Sequence, residues 1–202
     1  MRLVGQRNLL HPWRISLVNL DYLTFPQDGW GYLHPEREII SMMEWIRDKY
    51  NPKTLLEIGF YAGHSTSMWA QILNETKITS CAPPHPRAKE FSKIVMEHNP
   101  NVKVILIPSP EVHKSINGLD FDIAFIDGNH TEPAVYNDIH MCRSMGIHVL
   151  LFDNYELESV REGIKNRLGT SPNKVWEYPT DFKGKVQTNK IALFDLTTKD
   201  KF

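Results

Sequence analysis

Three features of the sequence predict a doubly wound α/β fold. From Pro52 onward, short β-branched runs alternate with stretches of helical spacing; several of those runs are apolar at consecutive positions; and the end of the chain keeps the strands but loses the helices. Consecutive apolar positions mean burial on both faces, the situation of a parallel sheet covered by helices. Strand and helix in strict alternation then leave few arrangements, because crossovers between parallel strands are right-handed.

Taken in order, residues 35–50 read as an amphipathic helix, with Ile39, Met43 and Ile46 on one face and Pro35 in the first turn. Strands are expected at 54–58, 77–81, 102–107, 121–127 and 148–153. Between them, residues 66–73 form a helix after the first strand, and three further helical faces carry Phe91, Ile94, Val95 and His98, then Val135, Ile139 and Cys142, then Val160, Ile164 and Leu168. Residues 175–178 and 191–196 are strand-like and joined only by a polar stretch containing Lys183, Gly184 and Lys185, so they pair antiparallel. Residues 1–34 hold Trp13, Tyr22, Phe25, Trp30 and Tyr32 among Gly and Pro, which suits a cap over a pocket or a subunit contact. The expectation is one domain over 1–202, an aromatic cap segment at 1–34 followed by an α/β core at 35–202.

With 23 Lys and Arg against 24 Asp and Glu, the formal charge is -1, and no block of like charge stands out. A phosphate backbone or an anionic membrane therefore has no electrostatic footprint to bind. Cys81 and Cys142 are far apart and form no Cys-x-x-Cys pair, so the sequence does not support a disulfide framework or a zinc ribbon and fits a reducing cytoplasm. No apolar run approaches the ~20 residues of a membrane span, and the N-terminus breaks into polar residues too early for a signal peptide.

The segment Glu57-Ile58-Gly59-Phe60-Tyr61-Ala62-Gly63-His64-Ser65 joins the first strand to a helix. Gly59 permits a sharp turn and Gly63 a close backbone approach, which places free N–H groups beside the carboxyl end of the sheet. The spacing is neither Gly-x-Gly-x-x-Gly nor a P-loop, so NAD and ATP are disfavoured. A carboxylate at Glu57 suits a cofactor with positive charge better than one with pyrophosphate. S-adenosylmethionine meets that requirement, with Glu57, Gly59, Phe60, Gly63 and Ser65 as the candidate cofactor residues. The alternative reading is that Glu57 caps a neighbouring helix while the glycines shape the turn.

The run Phe121-Asp122-Ile123-Ala124-Phe125-Ile126-Asp127-Gly128-Asn129-His130 ends a buried strand in a carboxylate and follows it with an imidazole; one strand later, Leu150-Leu151-Phe152 ends in Asp153-Asn154. Asp127, Asp153 and Asn154 offer three hard oxygen donors without a thiolate, which favours Mg²⁺, with Mn²⁺ or Ca²⁺ as substitutes, over zinc. Such an ion holds an acceptor hydroxyl and lowers its pKa, and His130 is placed to take the proton as general base. The structural alternatives are that Asp153 or Asn154 caps the following helix, that Asp127 bonds turn amides, and that His130 is a surface turn residue.

These residues resemble the class I S-adenosylmethionine-dependent methyltransferases, in particular a small group with Glu-x-Gly-x-x-x-Gly-x-Ser followed by an Ile-Asp-Gly-x-His strand end. The likeness is specific over residues 56–65 and 121–130 and rests on strand order elsewhere. It implies a Rossmann-like seven-stranded sheet, mostly parallel, with an antiparallel last strand. Catechol-type O-methyltransferases hold Mg²⁺ with an Asp after the fourth strand and an Asp-Asn pair after the fifth, at the positions of Asp127, Asp153 and Asn154. Relatives that methylate sugar hydroxyls use a His as base where His130 stands. The resemblance thus implies Mg²⁺-assisted O-methylation of a hydroxyl on a small molecule or sugar; the charge pattern speaks against a nucleic-acid or membrane partner, and a homo-oligomer is a further expectation.

Two departures from the family pattern stand out. Its second strand usually ends in an acidic residue for the ribose hydroxyls, and an Asp near the adenine commonly follows the third; here Ala82-Pro83-Pro84 and Pro108-Ser109-Pro110 occupy those places. A second reading is therefore a non-catalytic binding module with the same fold and a degenerate cofactor site. A third, a metal-dependent hydrolase using Asp127, Asp153 and His130, leaves the Glu57 loop without a ligand.

Overall fold

A computed structural model describes residues 18–23, 33, 35–116, 120–182 and 185–197. Seven strands, β1 (Thr54–Ile58), β2 (Lys77–Cys81), β3 (Val102–Ile105), β4 (Ile123–Ile126), β5 (Val149–Phe152), β6 (Lys174–Phe182) and β7 (Lys185–Asp195), alternate with the helices α1 (Arg37–Tyr50), α2 (His64–Ile72), α3 (Pro86–His98), α4 (Ser109–Ser115), α5 (Glu132–Ser144) and α6 (Glu158–Leu168). The strands form one sheet in the order β3-β2-β1-β4-β5-β7-β6. β1 to β5 are parallel, and β7 runs antiparallel to both of its neighbours.

Every residue of β4 and of β5 is buried, as continuous apolar runs require. Successive side chains point to opposite faces. Leu55, Ile123, Phe125 and Leu151 join one core with the inner stripes of α1, α2 and α3. Leu56, Ala124, Ile126 and Leu150 join the other with α4, α5 and α6. The chain builds outward from β1 to β3, then returns to lay β4 on the other side of β1. That reversal opens a crevice beyond the carboxyl ends of β1 and β4, where ligands of open α/β sheets bind.

Several elements differ from the sequence reading. α4 was not anticipated, because its seven residues carry a single buried apolar side chain, Val112, too few to establish a helical period. β6 and β7 are longer than 175–178 and 191–196, since their outer halves pair only with each other and carry exposed residues such as Val186. β3 stops at Ile105 rather than at 107. Of the aromatic cap segment, Trp13, Phe25, Trp30 and Tyr32 lie outside the described residues, as do residues 183 and 184 of the polar connection. Tyr22 stacks on His98 with ring centroids 4.1 Å apart, and its hydroxyl accepts from Asn99 Nδ2 at 2.9 Å. Residues 18–23 thus dock on the C-terminal ends of α2 and α3, at the end of the sheet remote from the crevice. Among the described residues, no helix is long and apolar enough to cross a membrane.

Candidate active site

The carboxyl ends of four strands surround a cleft of about 760 Å³, a volume suited to a small-molecule ligand. Gly59, Phe60 and Tyr61 enter it after β1, Ala82 and Pro83 after β2, Pro108, Ser109 and Pro110 after β3, and Asp127, Asn129 and His130 after β4; α5 adds Asn137 and Asp138.

The first loop shapes this cleft with its backbone. Gly59 has φ +118°, and a Cβ there would lie 1.9 Å from the carbonyl oxygen of Asp127. The N–H groups of Gly59 and Phe60 both donate to the Cys81 carbonyl, at 2.9 and 3.1 Å, so neither is free for a ligand as the sequence reading expected. Gly63 serves helix packing, since a Cβ there would meet Val95 Cγ2 at 2.4 Å. Glu57 is fully buried and accepts hydroxyl bonds from Ser65 at 2.6 Å, Ser80 at 2.5 Å and Thr66. Burial holds its carboxyl above the usual range, against the opposing effect of these three donors. Glu57 therefore fastens the first turn of α2 and strand β2 to β1 through the hydroxyls of Ser65, Thr66 and Ser80. Of the five candidate cofactor residues, Gly59 and Phe60 line the cleft, whereas Glu57, Gly63 and Ser65 are not part of its wall.

The acidic residues do converge. Ile126 and Phe152 are register partners on adjacent parallel strands, so the next residues, Asp127 and Asp153, emerge side by side. Burial raises both carboxyls, Asp153 well above its ordinary value, and the charge of Asp127 raises Asp153 further. His130 Nε2 lies 3.3 Å from Asp127 Oδ1, a contact that raises the imidazole pKa against a smaller effect of burial. Tyr178 of β6, not anticipated from the sequence, donates its hydroxyl to Asp153 Oδ1 at 2.6 Å. Asn154 takes the left-handed conformation at φ +54°, and its Nδ2 donates to Glu156 Oε1 at 3.3 Å. Glu156 in turn accepts the Lys190 N–H at 2.7 Å, pinning this loop to β7. Asp127 and His130 face the cleft, while Asp153 and Asn154 are outside its lining. Among the described residues, no group of three or more His, Cys, Asp or Glu forms a metal site by itself.

Asp138 was also missed, although a signal existed. It stands three residues after Val135 and four before Cys142, on the apolar stripe of α5, where a carboxylate is out of place. It is 3% exposed, and Oδ1 accepts the Ser109 hydroxyl at 2.5 Å. Burial pushes its pKa from 3.8 up to about 6, partly offset by Ser109. The native chain then holds the proton more tightly than the unfolded chain, so this group's contribution to stability falls as pH rises from about 3.8 through 6. Asp138→Asn is expected to stabilise the protein relative to wild type by roughly 2–3 kcal/mol at pH 8, with the gain vanishing near pH 4. Chemical denaturation of both proteins at the two pH values checks this; a gain independent of pH contradicts it.

Sheet order, crossing pattern and cleft together define a methyltransferase-type Rossmann fold. Residues 56–155 match a family whose description is "Methyltransferase domain". No curated protein matches the chain. Among solved structures, the cofactor-bound protein Rv0187 from MTB superposes with TM-score 0.57 at 17% identity, covering 80% of this chain and 82% of that one. The O-methyltransferase from Bacillus cereus in complex with SAH gives TM-score 0.58 at 14% identity, covering 82% and 83%. The O-methyltransferase TomG from Streptomyces achromogenes, involved in tomaymycin synthesis and solved with SAM, gives 0.57 at 15%, covering 76% and 78%. At these identities the likeness establishes the fold.

Proposed function

We propose that this protein is an S-adenosylmethionine-dependent O-methyltransferase that acts on a hydroxyl of a small molecule or sugar with the help of Mg²⁺. The observation that carries this reading is the side-by-side placement of Asp127 and Asp153 with His130 against Asp127 on the cleft wall. The cleft volume suits a nucleoside cofactor, and structural neighbours were solved with SAM or SAH.

The donor set fits a hard divalent cation. The groups acting on the two acids are His130, Tyr178, Glu156 and the Asn154 N–H; the cation among them is the imidazole of His130 when protonated, so a hard divalent ion would balance the pair once that ring gives up its proton. Asn154 has its Nδ2 committed to Glu156, which leaves Oδ1 as a third oxygen donor. Mg²⁺, or Mn²⁺ or Ca²⁺ in its place, would supply Lewis acidity to an acceptor hydroxyl. The protein's own share is positioning and proton transfer. Asp127 accepts from Nε2 of His130, which selects that tautomer and leaves Nδ1 to take a proton. Tyr178 orients Asp153, and the apolar walls around Ala82, Pro83 and Pro108 exclude water from the transfer. The two free, buried cysteines suit a reducing, cytoplasmic setting.

Isothermal titration with S-adenosylhomocysteine and with Mn²⁺ tests the reading. Both are expected to bind, and Asp153→Asn is expected to weaken Mn²⁺ by about tenfold or more while leaving S-adenosylhomocysteine within about threefold. No heat with S-adenosylmethionine or S-adenosylhomocysteine at protein concentrations that detect tens of micromolar affinity (about 6–7 kcal/mol) removes it.

A further inference from the structure

Past the carboxyl end of the sheet, β6 and β7 continue as a ribbon of their own. Ala192 pairs with Phe152, the last residue of β5, so residues 185–191 and the matching part of β6 run on beyond it, on the side where Asp153 follows. Two strands that pair only with each other add little stability by themselves. Directly opposed residues of an antiparallel pair share a face, and faces alternate along each strand. One face of the ribbon therefore carries Trp176 with Ile191, then Tyr178 with Asn189, then Thr180 with Gln187; the other carries Glu177 with Lys190, then Pro179 with Thr188.

The first face changes character along its length. At Trp176 it is apolar and packs on Trp45 of α1, with ring centroids 5.3 Å apart. At Tyr178 it meets Asp153. The Tyr178 hydroxyl gives its hydrogen to Asp153, so the hydrogen bond between Asn189 and Tyr178 is donated by Nδ2 and leaves Asn189 Oδ1 as an acceptor. One rung further, roughly 7 Å along the strands, stand the half-buried Thr180 and the exposed Gln187. Both are uncharged, and each can donate and accept, as a hydroxyl can. A saturated ring whose reacting oxygen lies at Asp127, Asp153 and His130 spans that distance with its neighbouring hydroxyls, whereas a flat aromatic ring finds no apolar platform on this rung. The nearest charges on the ribbon, Glu177 and Lys190, lie on the opposite face and neutralise each other at 2.7 Å. Resting on the O-methyltransferase reading above, we propose that Thr180 and Gln187, with Asn189, read the hydroxyls that flank the one being methylated and make the site selective for neutral polyhydroxylated acceptors over monophenols. An acceptor without those hydroxyls leaves the polar groups of this face unmatched, which is where the discrimination arises.

The test measures methyl transfer from labelled S-adenosylmethionine, with Mg²⁺ present, to methyl glucoside, methyl rhamnoside and myo-inositol, and to phenol and 4-methoxyphenol. Wild type is expected to favour the polyols by about tenfold or more in kcat/KM. Thr180→Val and Gln187→Leu are each expected to raise KM for the polyols by about tenfold with kcat within about threefold, because the lost hydrogen bonds hold ground state and transition state alike. Thr188→Val, on the opposite face of the same ribbon, is expected to leave KM within about twofold, and thermal unfolding checks that all three variants fold. A preference for the monophenols, an unchanged KM in both Thr180→Val and Gln187→Leu, or an equal rise in Thr188→Val overturns the assignment; where the variants fail to fold, the wild-type preference alone decides. Turnover of neither class overturns it as well. Titration with S-adenosylhomocysteine then separates the two readings: binding leaves the cofactor reading standing, and no binding removes both.

Discussion

Gly59→Ala is expected to lose roughly 4 kcal/mol of stability or more, with a fall in melting temperature of roughly 8–16 °C, and to lose S-adenosylhomocysteine binding with it. Two independent effects coincide at this residue. Its φ of +118° lies where an L side chain is strained, and the added Cβ would stand 1.9 Å from the carbonyl oxygen of Asp127. The obstacle is backbone, so no rotamer change relieves it. Either the turn after β1 or the strand end that carries Asp127 must move. The loss is a large part of the ~5–15 kcal/mol typical of a whole domain. The same displacement disturbs two elements of the cleft, because Gly59 and Asp127 both belong to its wall. Calorimetry on the purified variant measures both consequences, and a loss below about 1 kcal/mol would refute the steric argument.

The parts of this molecule that were legible in the sequence are those with a local physical signature. β4 and β5 announce themselves because every side chain is buried, and the juxtaposition of Asp127 with Asp153 follows from two such strands lying in parallel register. The fold class follows from the same alternation. What escaped depends on partners distant in sequence. The N–H groups of Gly59 and Phe60 look free until β2 brings the Cys81 carbonyl against them. Glu57 looks available to a cofactor until Ser80, from another strand, joins Ser65 and Thr66 in occupying its oxygens. Tyr178 reaches Asp153 although β7 is inserted between β5 and β6 in the sheet, an order that strand spacing alone does not dictate. Asp138 was readable in principle as a charge on an apolar stripe. Its partner Ser109 belongs to the short helix α4, whose length hides it from any periodicity.

Removing the imidazole of His130 is expected to have the largest effect on turnover. General-base catalysis by a placed side chain contributes about 10²–10⁴-fold, so His130→Ala is expected to lower kcat by that order. Its binding functions are expected to survive. His130 is half-buried and its Oδ1 partner Asp127 retains the neighbouring Asp153, so Mn²⁺ and S-adenosylhomocysteine affinities are expected to change by no more than about threefold. This split separates a base from a residue that merely shapes the cleft, because loss of shape weakens binding together with turnover. The defect also has a direction with pH. A neutral imidazole is required to accept the proton, so wild-type turnover rises as pH rises and the ring deprotonates, whereas the variant depends on hydroxide or on the acceptor's own ionisation and recovers ground toward alkaline pH. Single-turnover methyl transfer from labelled S-adenosylmethionine to a panel of hydroxylated acceptors, run from pH 6 to 9, measures this. Retention of more than about a third of wild-type turnover across that range would remove His130 from the base role and leave the hydroxyl to be ionised by the Asp127–Asp153 centre alone.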